Sequence, residues 1–144
     1  MKPIQILLVE DNEGDIILTL EAFKNGKLLN TVSVTRDGEE AISFLKKENK
    51  FSGAERPDII LLDINLPKLD GKETLHFIKH HEEFKSIPVV MLTTSSAEED
   101  IQDAYKDHAN CYISKPVDFI KFMQVVHAIE DFWLSLVKLP QKKD

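Results

Sequence analysis

The chain predicts a doubly wound α/β fold, one parallel sheet with helices on both faces, and three observations carry that prediction. Ile4-Gln5-Ile6-Leu7-Leu8-Val9, Ile59-Ile60-Leu61-Leu62 and Val89-Val90-Met91-Leu92 are nearly continuous apolar runs. Runs of that length bounded by turn signals read as strands buried on both sides. Helical periodicities separate them, which implies βαβ units with right-handed crossovers. Acids close the first two runs, Glu10 and Asp11 after one and Asp63 after the other. In open α/β sheets the chemistry lies just beyond the carboxyl ends of the strands.

Strand one covers about Ile4 to Val9. Helix one spans Glu13 to Lys24, with Ile16, Leu20 and Phe23 on one face and Ile17 widening it, and Asn25-Gly26 stops it as a C-cap pair. Strand two, about Thr31 to Thr35, precedes a helix that starts near Asp37-Gly38 and carries Ala41, Ile42 and Leu45. The polar stretch from Glu48 to Pro57 is a loop into strand three, Ile59 to Leu62. Asn65-Leu66-Pro67-Lys68-Leu69-Asp70-Gly71 is a loop by its proline and glycine. A third helix, about Lys72 to His81, turns Leu75 and Ile78 inward. Pro88 leads into strand four, Val89 to Leu92. Ser96 is placed to cap a fourth helix, with Glu98, Glu99 and Asp100 in its first turn, where the helix dipole favours negative charge. Its thin apolar face (Ile101, Ala104, Tyr105) marks it as the helix expected to move most. Strand five is Cys111 to Ser114, and the last helix follows Pro116 and runs to about Leu136. One domain over residues 1–139 with a short frayed tail at 140–144 is expected.

The last helix carries two apolar stripes. Phe119, Phe122, Met123, Val126, Ile129, Trp133 and Leu136 follow helical spacing and read as the core face. Val125, Ala128, Phe132 and Leu136 form a second stripe on a neighbouring face, and a surplus apolar face on a terminal helix suggests a surface for a second copy of the chain.

The 144 residues, 42% hydrophobic and 30% charged, have an ordinary globular composition and enough length for a core without staples. A net charge of −7 argues against a nonspecific grip on nucleic acid. Cys111 is the single cysteine, which excludes an intrachain disulfide, and its apolar setting reads as a buried small side chain. No signal peptide is visible, and no run approaches the roughly 18 apolar residues that cross a bilayer. The expected compartment is the cytoplasm.

Five groups converge on one sheet edge if the strands lie as predicted: Glu10, Asp11 and Asp63, Thr93 after strand four, and Lys115 before Pro116 after strand five. Carboxylates about 4.5 Å apart repel by roughly 3–4 kcal/mol at an effective dielectric near 20. Three of them take up protons or recruit a cation. Oxygen donors with a carbonyl and waters suit Mg²⁺, and three acids, one divalent ion and one lysine sum to about zero charge. That set suits phosphoryl transfer, with one carboxylate as nucleophile and the cation, lysine and hydroxyl steadying the moving oxygens. Asp63, alone at the end of the central strand, is the candidate nucleophile. Glu10 and Asp11 can both turn toward a metal, and the Asn65 carbonyl, two residues past Asp63, can complete its shell.

Glu10-Asp11, Asp63, Asp70-Gly71, Thr93 and Lys115-Pro116, in that order, resemble the receiver domain of two-component response regulators over Ile4 to about Ile129. Thr93 falls 30 residues and Lys115 52 residues after Asp63. Each dipeptide is weak alone; the ordered set at strand ends is specific. The resemblance implies a flavodoxin-like fold with five parallel strands in the order 2-1-3-4-5. It implies that Asp63 accepts phosphate from a sensor histidine kinase or a histidine phosphotransferase. Mg²⁺ would then bind at Asp11, Asp63 and the Asn65 carbonyl, with Glu10 acting through water. It implies that Lys115 contacts the acyl phosphate, that Thr93 moves in to hydrogen-bond it, that Tyr112 turns inward as an aromatic switch, and that the bond before Pro116 is cis. The tail Ile129-Glu130-Asp131-Phe132-Trp133-Leu134, with Val137 and Leu139-Pro140, is similar to stand-alone receivers of the cyanobacterial phytochrome response-regulator type. That likeness implies a phytochrome-like kinase and a homodimer, with Val125, Phe132 and Leu136 as interface candidates. Thr94 departs from the smaller residue often found beside the switch threonine and would narrow access to the phosphate.

Other readings compete. His76, His80 and His81 sit among Lys79, Glu82 and Glu83, which suits a solvated helix end better than a zinc site. An Mg²⁺-dependent phosphohydrolase with an aspartyl nucleophile would want a second acid for the leaving group at position 65, where Asn65 stands. A flavodoxin-like binding module would want a phosphate-cradling loop after strand one, where Glu10, Asp11 and Glu13 repel phosphate.

Overall fold

Strands with apolar side chains on both faces have to lie in the middle of a sheet covered twice, and the chain folds that way. The computed structural model describes residues 3–93, 106, 108–109, 111–114 and 119–136. Strands β1 (Ile4–Val9), β2 (Asn30–Thr35), β3 (Ile59–Asp63), β4 (Val89–Thr93) and β5 (Cys111–Ser114) pair in parallel in the order β2-β1-β3-β4-β5. The described α-helices are α1 (Glu13–Lys24), α2 (Gly38–Lys46), α3 (Gly71–Lys79) and a C-terminal helix (Phe119–Leu136), and a 3-10 turn covers Asn49–Phe51 in the loop after α2. The predicted fourth helix lies outside the described residues.

Alternation along the central strands builds two cores. Leu7, Val9, Ile60, Leu62 and Met91 face α2 and α3, where Ala41, Leu45, Leu75 and Ile78 meet them. Leu8, Leu61, Val90 and Leu92 face the other way, against Ile16 and Phe23 of α1 and Phe122, Val126 and Ile129 of the C-terminal helix. Each such side chain contributes on the order of 1.5–3 kcal/mol when fully buried.

Side chains close to the helix starts fix where the helices begin. Asn12 Oδ1 accepts from the amide of Asp15 at 2.9 Å, and Asp37 Oδ1 from that of Glu40 at 2.8 Å. Asp70 and Glu73 form a reciprocal capping box at α3, which places its first helical residue at Gly71 rather than at Lys72, and the helix ends at Lys79, with His80 as its C-cap, rather than at His81. Lys79, half-buried, donates from Nζ to the carbonyl of Ile87 at 2.7 Å, and burial pushes its amine below its ordinary pKa.

Two expectations need correcting. Ile17 is 55% exposed and Leu20 also faces solvent, because Thr19 and Ala22 take the inward positions of α1 beside Ile16 and Phe23. Phe119 is 39% exposed and does not join the core stripe of the last helix. Asn25-Gly26 does stop α1 as expected, with Asn25 as its C-cap, though without a left-handed residue: Asn25 has φ −91° and no glycine described has positive φ. Gly26 is needed there for space instead, since a Cβ would come 2.6 Å from Glu130 Oε2. That carboxylate, buried on the C-terminal helix, accepts the amides of Lys27 and Leu28.

Candidate functional site

Strand register alone brings the acids together. Val9 pairs with Leu62, so Glu10 and Asp63 are the next residues on neighbouring strands at the same sheet edge. Asp63 pairs with Leu92, and Thr93 with Ser114, so β4 and β5 end at that edge too. The three carboxylates of Glu10, Asp11 and Asp63 have oxygens within 4.8 Å of one another. Glu10 and Asp63 are buried and Asp11 is exposed, so the cluster has a dry floor and a wet mouth. No other group of three or more metal-ligating side chains occurs among the described residues.

Backbone donors orient two of the acids. Glu10 Oε1 accepts from the Asn12 amide at 3.2 Å, and Asp63 Oδ1 from the Asn65 amide at 3.3 Å. Asn65 therefore sits beside the Asp63 carboxylate at the start of the loop to α3. The donor set is all carboxylate oxygen, hard and anionic, which fits a hard divalent cation such as Mg²⁺ and not a soft one.

The remaining expected groups are only partly visible. Thr93 ends β4, and Tyr112 lies in β5 opposite Met91, but the side chains of both lie outside the described residues. So do Thr94, Lys115 and Pro116 entirely, and with Pro116 the expected cis bond. On the C-terminal helix, Val125 is half-buried against the core on the α1 side, and the side chains of Phe132 and Leu136 lie outside the described ones.

Sequence reasoning missed two contributions to the site. Gly71 packs so closely on the backbone of Asp63 that a Cβ would overlap the Asp63 carbonyl oxygen and come 2.5 Å from the Ile64 Cα. Thr35 ends β2 beside Glu10, whose amide donates to its carbonyl, and its buried hydroxyl has no partner among the described residues. The dipeptide Asp70-Gly71 was a signal for the first; nothing local signals the second.

A doubly wound sheet with an acidic pair and a lone aspartate at its carboxyl edge defines a phosphoacceptor domain, and comparison with known proteins agrees. The chain belongs to the response regulator receiver family, whose domain model matches residues 6–127. Response regulator Rcp1 of Synechocystis is 43% identical over 138 residues, covering 96% of this chain and 94% of the relative. Among solved structures, the phosphorylated cyanobacterial phytochrome response regulator RcpA aligns with a TM-score of 0.88 at 47% identity, covering 96% of this chain and 99% of that one. The Mn²⁺-bound form of Rcp1 aligns with a TM-score of 0.86 at 43% identity, over 96% and 99% of the two chains. The protein is thus a two-component phosphoacceptor signalling protein whose partner is a sensor kinase. No helix among the described residues is long and apolar enough to cross a membrane.

Proposed function

We propose that Asp63 is the phosphoacceptor and that Mg²⁺ is held by Asp11, Asp63 and the Asn65 backbone carbonyl, with Glu10 acting through water. The observation that carries this reading is the convergence of three carboxylates within 4.8 Å at the carboxyl edge of β1 and β3. When bound, Mg²⁺ would offset the clustered negative charge and the charge on the transferring phosphoryl oxygens. An Asp63 carboxylate oxygen attacks phosphorus in the donor's phosphohistidine, the P–N bond breaks, and the imidazole leaves with the electron pair. Lys115 pairs with the phosphoryl oxygens and the Thr93 hydroxyl donates to one of them. Tyr112 then follows Thr93 inward, so that phosphorylation shifts a two-state surface equilibrium.

The chain acts on itself, catalysing its own phosphorylation and dephosphorylation. The receiver occupies residues 1–139, with 140–144 as a tail, and works in the cytoplasm. Its donor is a phytochrome-like kinase, a reading supported by the likeness to RcpA and Rcp1. A histidine photoreceptor kinase is not the sole donor class, because a histidine phosphotransferase presents the same phosphoimidazole. Two copies associate through the second stripe of the C-terminal helix.

Incubation with acetyl phosphate and Mg²⁺ tests the central claim by intact mass. The wild type is expected to take up one phosphoryl group and lose it slowly, while Asp63→Asn takes up none and keeps its circular dichroism. Normal labelling of Asp63→Asn would refute the assignment, and sustained turnover of the donor would make the protein a phosphohydrolase.

A further inference from the structure

We propose that α2 is part of the phosphorylation machinery in a positioning role: Gly38, in its first turn, buttresses the loop of residues 64–70 and so sets where Asn65 stands relative to Asp63. This rests on the assignment of Asp63 and Asn65 above and names an element outside the carboxylate cluster.

The loop is pinned at both ends. At its α3 end, the Gly71 amide donates to the Ile64 carbonyl at 2.9 Å, and Gly71 lies against the backbone of Asp63 and Ile64 with no room for a side chain. At its outer turn, the Gly38 amide donates to the Leu69 carbonyl at 3.2 Å. A Cβ on residue 38 would overlap both Thr74 Oγ1 and that Leu69 carbonyl oxygen and come 2.9 Å from the Leu69 Cβ. Thr74 cannot yield freely, because its hydroxyl donates to the Asp70 carbonyl at 2.7 Å and the residue is fully buried. Asp37, which caps α2, also lies 3.7 Å from Lys68 Nζ.

Between the pins, Lys68 holds a left-handed backbone with φ 61°, a region that side chains other than glycine seldom adopt. Such a conformation persists only where the surroundings over-determine it. The first turn of α2 supplies that constraint. If Leu69 is pushed outward, strain passes into the 64–68 segment, since Gly71 keeps the other end on Asp63. Asn65 lies in that segment.

The test compares two glycine substitutions that strike different parts of the molecule. Gly38→Ala strikes the loop, whereas Gly26→Ala strikes the Glu130 carboxylate at the opposite edge of the sheet. Mg²⁺ affinity is measured by calorimetry on the full chain, with urea unfolding run in parallel to match stability loss. Gly38→Ala is expected to bind Mg²⁺ about tenfold more weakly, the usual effect of disturbing residues that support metal ligands. It should label more slowly with acetyl phosphate at subsaturating Mg²⁺, while Gly26→Ala keeps wild-type Mg²⁺ affinity. Unchanged affinity in folded Gly38→Ala, or an equal loss in Gly26→Ala, would overturn the proposal. If Gly38→Ala does not fold, Thr74→Val removes the bond to Asp70 at constant shape. It is expected to weaken Mg²⁺ binding by a smaller factor, and wild-type affinity there would overturn the proposal as well. A wild-type chain that neither binds Mg²⁺ nor labels at Asp63 would instead bring down the site assignment itself.

Discussion

Glu130 and Asp131 are consecutive acids with opposite fates. The Glu130 carboxylate is buried and takes the amides of Lys27 at 3.1 Å and Leu28 at 2.8 Å, one on each oxygen. Asp131 reaches Lys27 Nζ at 3.1 Å in the open, where screening and side-chain entropy cancel most of the attraction. Glu130→Gln, which replaces one acceptor by a donor, should therefore cost about 1–3 kcal/mol in urea unfolding. Asp131→Asn should cost less than about 1 kcal/mol. Equal effects would mean that the loop at residues 26–28 is not held by the carboxylate. Nothing in the local sequence separates these two residues, because the distinction is made by a loop more than 100 positions away. Glu10 and Asp63 were legible for the opposite reason: each directly follows an apolar run, and the run itself places it at the sheet edge.

Element boundaries were readable wherever a side chain writes them locally. Asn12, Asp37 and Asp70 all cap helices by accepting an amide three residues on. Removing such a cap costs about 1 kcal/mol. Asp70→Ala should therefore lower stability by that amount, and by more where the loop before α3 loosens with it, as read by thermal or urea unfolding. A neutral Asp70→Ala would show that Gly71 packing alone fixes the start of α3. Element faces were less readable. α1 presents apolar residues nearly all round, with Ile17 and Leu20 outside and Thr19 and Ala22 inside. Hydrophobicity alone cannot orient such a helix; the packing of Ile16 and Phe23 against the C-terminal helix does.

At the scale of the molecule, the order β2-β1-β3-β4-β5 follows from the nearly continuous apolar central strands and right-handed crossovers. The proposed assembly extends this description by one further surface, the stripe through Val125, Phe132 and Leu136. Phe132→Asp should convert a dimer to a monomer in sedimentation velocity, and an unchanged dimer mass would put the contact elsewhere.

The pairing of Val9 with Leu62 has a further consequence. A slip of one residue would turn every inward side chain of β1 to the wrong core, so this register cannot give way. The mutual repulsion of the acids is thus a standing load carried by hydrophobic packing, which no local adjustment of the strands can shed. An ion that relieves this load binds the folded chain and not the unfolded one, so the melting temperature should climb with magnesium concentration, and calorimetric scans would display the site before any phosphate is added.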